Sequence, residues 1–287
     1  MNFRTDLALE RCENLDKKSL EGIKMDVLKE TGAKITRIEV LDKKGEETVG
    51  KPIGKYVTVE VTPFARHAQF IDDSLTAVSE EIRRILPEKG SVLVAGLGNT
   101  RITPDALGPK CASMIFATRH ITGELLRSTG LSGLRCVSAV ATGVTGETGA
   151  EAGEIIKGVV QTVKPDVVIT VDALAARNVK RLGATIQMCD TGIIPGSGVG
   201  NSRQEISKKT IGVPVVSIGV PTVVDAETLI MDCTGTEDFV FDKSESMMVT
   251  PREIDLMIER AAKLTSLAIN CALQPDISPE DMLILTS

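Results

Sequence analysis

The sequence predicts an α/β protein: a mostly parallel sheet with helices on both faces, preceded by a small N-terminal β extension. Three observations predict it. Between residues 91 and 225, short runs rich in Val and Ile alternate with helical patterns. Those runs are apolar throughout, as strands covered on both faces are, rather than alternating in polarity. Ahead of them lie three short β-like segments separated by turns rich in glycine and charge,. The chain has 287 residues, enough to bury a sizeable core, and neither a repeat nor a linker divides it,. A single α/β domain is therefore expected.

Taken in order, residues 1–20 are polar and mixed in charge and read as an arm or a short helix. GIKMDVLKE (22–30), ITRIEVLD (35–42) and KYVTVEVTP (55–63) read as strands, with ETGAK (30–34) and DKKGEETVGKPIG (42–54) as the turns between them. Residues 66–86 read as an amphipathic helix. Phe70, Ile71, Leu75, Val78, Ile82, Ile85 and Leu86 recur at helical spacing, and Pro87 stops it,.

The alternation then begins. SVLVAGLGN (91–99) is a buried strand, PKCASMIFATRHITGELLRSTG (109–130) a helix, and LRCVSAVATGVTG (134–146) a strand running into a loop. AEAGEIIKGVVQTVK (150–164) is a helix, PDVVITVDA (165–173) a strand followed by a short helix, and GVPVVSIGVPTVVD (212–225) a strand and loop. FVFDKSESMMV (239–249) is an irregular connection. In the last helix Thr250, Pro251 and Glu253 fit N-cap, first-turn and capping-box positions,. Ile254, Ile258, Ala261, Leu264, Ala268 and Cys271 form its apolar stripe,.

Composition excludes several functions. Aromatic residues are 2% of the chain, with no Trp and Tyr56 alone, so stacking on bases is not a mode of recognition here,. A net charge of −6 argues against a nucleic-acid surface,. Cys12, Cys111, Cys136, Cys189, Cys233 and Cys271 are scattered with no CxxC pair, which reads as free thiols in a reducing compartment,. MNFRTDLALE lacks an apolar signal core, and no apolar run approaches the ~20 residues that span a membrane,. A cytoplasmic protein is expected. The two histidines, His67 and His120, fall in predicted helices without an HExxH pattern or a triad around them. No zinc site, no Ser-His-Asp triad and no cofactor are expected.

Two segments carry the chemistry. GLGNTRITPDALGP (96–109) and TVDALAAR (170–177) each follow an apolar run and each place one carboxylate, Asp105 or Asp172, at or past the end of a strand. Strand ends are where α/β sheets keep their sites. Asp105, bracketed by Pro104 and Pro109, is either functional or the N-cap of the helix that follows. Asp172 enters the rim of a buried sheet, so it is either functional or structurally satisfied, with Arg177 as a possible counter-charge. GLGNTR begins like a dinucleotide fingerprint, but Arg101 stands where the third glycine belongs,. Gly96 and Gly98 fit a tight strand-to-loop turn instead. Asp190-Thr191-Gly192 matches the loop of pepsin-like proteases, which are all-β and need two such loops, so it reads as chance. IIPGSGVGN (193–201) suits a flexible loop beside a site or a phosphate nest. Asp225 is a third carboxylate after a strand, with a helix cap as its structural reading.

GLGNTRITPDALGPK, TVDALAAR, DTGIIPGSGVGN and GVPTVVDAET, together with TGVTGETGAE and MVTPREID, resemble the germination protease family of spore-forming bacteria. The likeness covers nearly the whole chain in the same order. It implies an endopeptidase that degrades small acid-soluble spore proteins at germination in the spore core, on a fold related to the hydrogenase-maturation proteases. It implies a homotetramer; charge and the lack of a long apolar run are what argue against direct nucleic-acid and membrane contact. The family's essential aspartates fall on Asp105 and Asp172, with Asn99 and Thr103 as supporting candidates. It also implies a zymogen that removes a short N-terminal segment from itself. Thr5-Asp6-Leu7-Ala8 resembles the family's cutting site, so residues 1–6 form the expected propeptide, cut between Asp6 and Leu7, and residues 7–287 the single α/β protease domain. Such a propeptide is very short for blocking a site. The segment 233–249 is also shorter than its counterpart in the family.

The mechanism that follows pairs one carboxylate as general base on a water with a protonated partner as proton donor, the two titrating as a unit. Either aspartate fits either role. A metal-assisted peptidase of the same fold, a non-catalytic binder of spore proteins and a nucleotide-dependent enzyme using the glycine loops are the alternatives.

Overall fold

Among the described residues, nine strands form one sheet in the order β1-β2-β3-β7-β8-β6-β4-β5, with β9 paired to β8. They are β1 Ile23–Glu30, β2 Ala33–Val40, β3 Gly54–Glu60, β4 Val92–Leu97, β5 Val137–Gly143, β6 Val167–Ala176, β7 Thr185–Cys189, β8 Val215–Asp225 and β9 Met248–Val249. The computed structural model describes residues 5–13, 21–30, 33–66, 69–123, 133–200, 203–234 and 247–286.

The sheet has two halves. β5, β4, β6 and β8 run parallel. β1, β2, β3 and β7 are joined antiparallel to one another and to β8. The fold is thus α/β as expected, but the sheet is mixed rather than mostly parallel, because the N-terminal extension joins the main sheet through the antiparallel β3–β7 ladder and β7 joins β8 antiparallel.

The parallel half explains why the site lies where it does. The connection leaving β4 passes through helix Leu107–Ser113 to β5 on one side. The connection leaving β5 passes through helix Ala152–Val163 to β6 on the other side. Leu107 and Cys111 pack with helices Asp73–Ile85 and Ile254–Leu273 on one face. Ile156 and Val160 pack on the opposite face with Leu93, Ala95 and Val168. Successive crossovers that diverge in this way leave a crevice at the carboxyl ends of β4 and β6.

Several local expectations give way to tertiary context. DKKGEETVGKPIG is more than a turn: Lys43–Val49 is helical, started by Asp42, whose Oδ1 accepts from Gly45 N (2.9 Å), and ended by Gly50 at φ +65°,. The helix expected over 66–86 begins at Asp73, because the Asp72 carboxylate caps Leu75 N at 3.1 Å. His67 lies outside the described residues. The helix expected over 109–130 ends at Ser113. There the buried Asn270 amide accepts from Phe116 N (3.0 Å) and donates to the Met114 carbonyl (2.9 Å), satisfying backbone groups that would otherwise continue the helix,. His120 sits in a turn rather than a helix, and residues 124–132 lie outside the described set.

The short helix expected after PDVVITVDA is replaced by continuation of β6 to Ala176, followed by a 3-10 turn at Val179–Arg181. β7 went unpredicted, because TIQMC is five residues long and is interrupted by a glutamine. The final helix begins at Ile254 with Glu253 at its N-cap and no side-chain cap bond, so Thr250 does not cap it.

Candidate active site

β4 leaves the sheet at the site. Its ladder with β6 ends at the pair Gly96↔Val171, so Asp172 is the first β6 residue beyond β4. On its other side Asp172 stays in register with Gly219 of β8. Gly98, at φ +115°, then turns the chain, and a Cβ there would overlap the Asp105 carbonyl,. The loop returns as a 3-10 turn, Thr103–Asp105, closed by Asp105 N donating to the Ile102 carbonyl at 2.8 Å.

The Asp105 carboxylate is held from behind: Asn99 N donates to Oδ2 at 2.8 Å. The following helix has Ala106 at its N-cap and no side-chain cap bond, so Asp105 is not capping it. Asn99 touches Asp105 through its backbone; its own Oδ1 accepts from Arg101 N (2.8 Å). Thr103 opens the turn, and its carbonyl accepts from Ala106 N at 3.1 Å.

Asp172 is 6% exposed, and its Oδ1 accepts from Ala173 N at 2.9 Å. Burial pushes its pKa well above the usual carboxylate range, and the neighbouring Asp105 and Asp6 carboxylates push it further,. Burial also raises Asp105, to about 6; the Asn99 hydrogen bond opposes that rise and the Glu147 charge adds to it. Both aspartates line one cleft of about 390 Å³, with Thr145, Gly198 and Thr222 among its walls.

A third carboxylate reaches the same cleft. Asp6 N donates to the Ala175 carbonyl at 3.0 Å, and Ala175 N donates to Asp6 Oδ2 at 2.9 Å. Ser197 Oγ donates to Asp6 Oδ1 at 2.8 Å. Gly198 lies so close that a Cβ would overlap Asp6 Oδ2. The glycine-rich loop around Ser197 and Gly198 is therefore a cradle for this acid. Next in the chain, Leu7 is fully buried against Leu174 and Ala176.

Downstream, helix Ala8–Cys12 is anchored by Glu10, which accepts from Arg177 N (2.7 Å) and Asn178 N (2.9 Å) and hydrogen-bonds Thr5. Arg181 pairs with Glu13 at 2.6 Å and approaches Glu10 at 3.4 Å. The Arg177 backbone thus serves Glu10 as well as following the Asp172 strand. Sequence reading missed Gln187, Glu10 and Arg181, which join the N-terminal segment to residues more than 160 positions away. No periodicity signals such pairs.

The remaining carboxylates are structural. Asp190 Oδ1 accepts from Lys55 N at 2.8 Å, tying β7 to the start of β3. Asp225 Oδ2 accepts from Thr228 N at 3.3 Å, at the start of helix Ala226–Thr234. Among the described residues, no three His, Cys, Asp or Glu side chains gather closely enough to hold a metal ion. Nor, among them, is any helix long and apolar enough to cross a membrane.

Residues 4–245 match the family model described as germination protease. A germination protease of Caldanaerobacter subterraneus subsp. tengcongensis is 41% identical, with 98% of this chain and 97% of that protein covered. One from Clostridium acetobutylicum is 39% identical, covering 96% of each. One from Bacillus velezensis is 44% identical over 83% of this chain and 67% of that protein. Among solved structures, the [NiFe] hydrogenase maturation protease HycI from Thermococcus kodakarensis aligns with a TM-score of 0.38 and 19% identity, over 66% of this chain and 98% of that one. A family model spanning most of the chain, and relatives aligned nearly end to end, identify the chain as a member of the germination protease family.

Proposed function

We propose that this chain is an endopeptidase of small acid-soluble spore proteins, made as a zymogen that cuts itself between Asp6 and Leu7, with Asp105 and Asp172 as its catalytic pair. The observation that carries the reading is the convergence of Asp105, Asp172 and the Asp6 segment on one cleft. Asp105, raised to about 6, is ionised at neutral pH and serves as general base; Asp172, deeper and flanked by two acids, keeps a proton and serves as general acid,.

Water loses a proton to Asp105 as its oxygen bonds to the carbonyl carbon of the cut peptide. The carbonyl electrons return as the C–N bond breaks, and Asp172 gives its proton to the departing nitrogen. A carboxylic acid and an amine are left, which ionise to carboxylate and ammonium by passing one proton between them, and the proton on Asp105 passes back through water to Asp172.

Inhibition before the cut is carried by Asp6, which occupies the cleft itself. Its carboxylate is cradled by Ala175 and Ser197, so the place a substrate would take beside Asp172 is filled before the cut. Cutting after Asp6 frees the cradle, while Leu7 and the helix behind it stay anchored. Because Asp6 lies in its own chain's cleft, processing is first-order and independent of protein concentration. The homotetramer and the spore-core location are carried by the family likeness alone.

The test is incubation of the purified full chain, alone and with a small acid-soluble spore protein, followed by mass spectrometry of all products. A chain beginning at Leu7 and internal cuts in the spore protein are expected. An intact chain and an intact substrate would overturn the proposal and leave a binding protein in its place.

A further inference from the structure

We infer that Gln187 is a catalytic residue for the self-cut, donating a hydrogen bond to the carbonyl that the attacking water converts to an oxyanion. The inference rests on the processing reading above and names a group that reading does not use.

Gln187 brackets the Asp6–Leu7 bond with both ends of its amide. Its Nε2 donates to the Asp6 carbonyl at 2.9 Å, and its Oε1 accepts from Ala8 N at 2.8 Å. The second bond fixes which end of the amide faces the carbonyl. The side chain is 7% exposed, so water competes little for the donor. A donor held in advance in a dry site needs no reorganisation when charge develops on the oxygen.

The sheet register places this donor opposite the acids. Gln187 pairs with Gly219 across β7–β8, and Gly219 pairs with Asp172 across β8–β6. Residues in register on neighbouring strands point to the same face. Gln187 and Asp172 therefore flank a row whose middle member has no side chain. Asp6 spans that row: its backbone N–H is tied to Ala175 on β6 and its carbonyl to Gln187 on β7. The bond to be cut lies between an acid on one strand and a carbonyl donor two strands away.

In the balanced step, water oxygen bonds to the Asp6 carbonyl carbon and its proton goes to Asp105. The C=O π pair moves onto oxygen and is stabilised by the Gln187 N–H. That pair re-forms the C=O as the Asp6–Leu7 C–N bond breaks, and Asp172 protonates the Leu7 nitrogen. Gln187 neither gains nor loses a proton.

Two variants separate a donor from a mere clamp. Gln187→Glu keeps an oxygen for Ala8 N–H but has no donor when ionised; Gln187→Met fills the space with neither. The readout is the first-order rate of appearance of the chain beginning at Leu7, in variants shown folded by thermal melting. Removing an oxyanion donor costs roughly 10²–10³ in rate, so both variants should process at least about 100-fold more slowly at pH 7.5. As pH falls, protonation of the introduced carboxylate restores an O–H donor in Q187E. The Q187E rate should then rise relative to the Q187M rate, a change that a purely packing role would not produce.

Processing by folded Q187E and Q187M within threefold of wild type overturns the role of Gln187 and leaves the protease reading standing. A slow rate in both, with a Q187E to Q187M ratio that is flat in pH, also overturns it, in favour of a clamp. A wild-type chain that never starts at Leu7 overturns the processing reading, and the Gln187 role with it.

Discussion

The two halves of the sheet contribute to the site in different ways. The parallel half supplies acids where β4 ends: Asp172, inside β6, is uncovered as β4 peels away from it, and Asp105 follows the glycine turn at the end of β4. The antiparallel half supplies a polar side chain from within a strand, Gln187, aimed at a segment from the other end of the chain. A strand end in a parallel sheet is open to a cleft by construction. A mid-strand glutamine needs a partner laid over it, and here residues 5–12 are that partner. On the mechanism proposed above, the acid and the base come from the parallel half, and the donor to the Asp6 carbonyl comes from the antiparallel half.

The largest expected effect strikes the parallel half. Asp105→Asn and Asp172→Asn, each shown folded, should lower both self-processing and spore-protein cleavage by at least about 10³-fold, since a paired acid and base act as a unit. Cleavage of either substrate at near wild-type rate by one variant would remove that aspartate from the mechanism.

A smaller effect, confined to the N-terminal contact, is expected of Glu10→Ala. It strips the acceptor from two backbone N–H groups and leaves Arg181 with fewer acids around it. Breaking such a buried arrangement costs about 2–4 kcal/mol, read by chemical denaturation. Because the segment would then undock, spore-protein cleavage by the uncut E10A chain should rise relative to uncut wild type. Unchanged stability would mean that the anchor lies elsewhere.

The pH profile sharpens the division of labour. Asp105 must be ionised, so spore-protein cleavage should fall on an acid limb near pH 6; Asp172 must be protonated, so it should fall again at high pH,. The acid limb belongs to Asp105 if weakening the positive pull on its neighbour Glu147 moves it. Arg101, 3.3 Å from Glu147, can be changed to Gln for that purpose, and an upward move is expected.

The smallest effect is on stability. The Asp105 pKa is higher folded than unfolded, so its contribution is fully present below about pH 4 and is lost as pH rises through about 6,. Asp105→Asn should therefore be about 1–2 kcal/mol more stable than wild type at pH 7.5, after allowance for solvent at the cleft, and no more stable below about pH 4. A variant less stable at every pH would show that the carboxylate is needed structurally.

Much of the parallel half was legible in the chain. Val167–Ile169 and Val92–Val94 are short apolar runs, rich in β-branched residues, of the kind a doubly covered strand has, and the aspartates follow them in the chain,. The caps were less legible, because Asp42, Asp72 and Asn270 compete for backbone groups in ways that helical periodicity does not express. β7 was not legible at all: Thr185–Cys189 mixes polar and apolar residues, and it is a strand only because β3 and β8 lie on either side of it.

Apolar patterning and four ordered motifs were enough to determine the fold class and the family and to single out two aspartates as candidates, because those depend on strand burial and on the residues that follow a buried run. The structure alone decided that Asp105 caps nothing, that Asp6 enters the cleft, and that Gln187 holds the carbonyl beside it. The last two are contacts between residues far apart in sequence. Local propensity carries no information about such contacts until the sheet has brought the residues together.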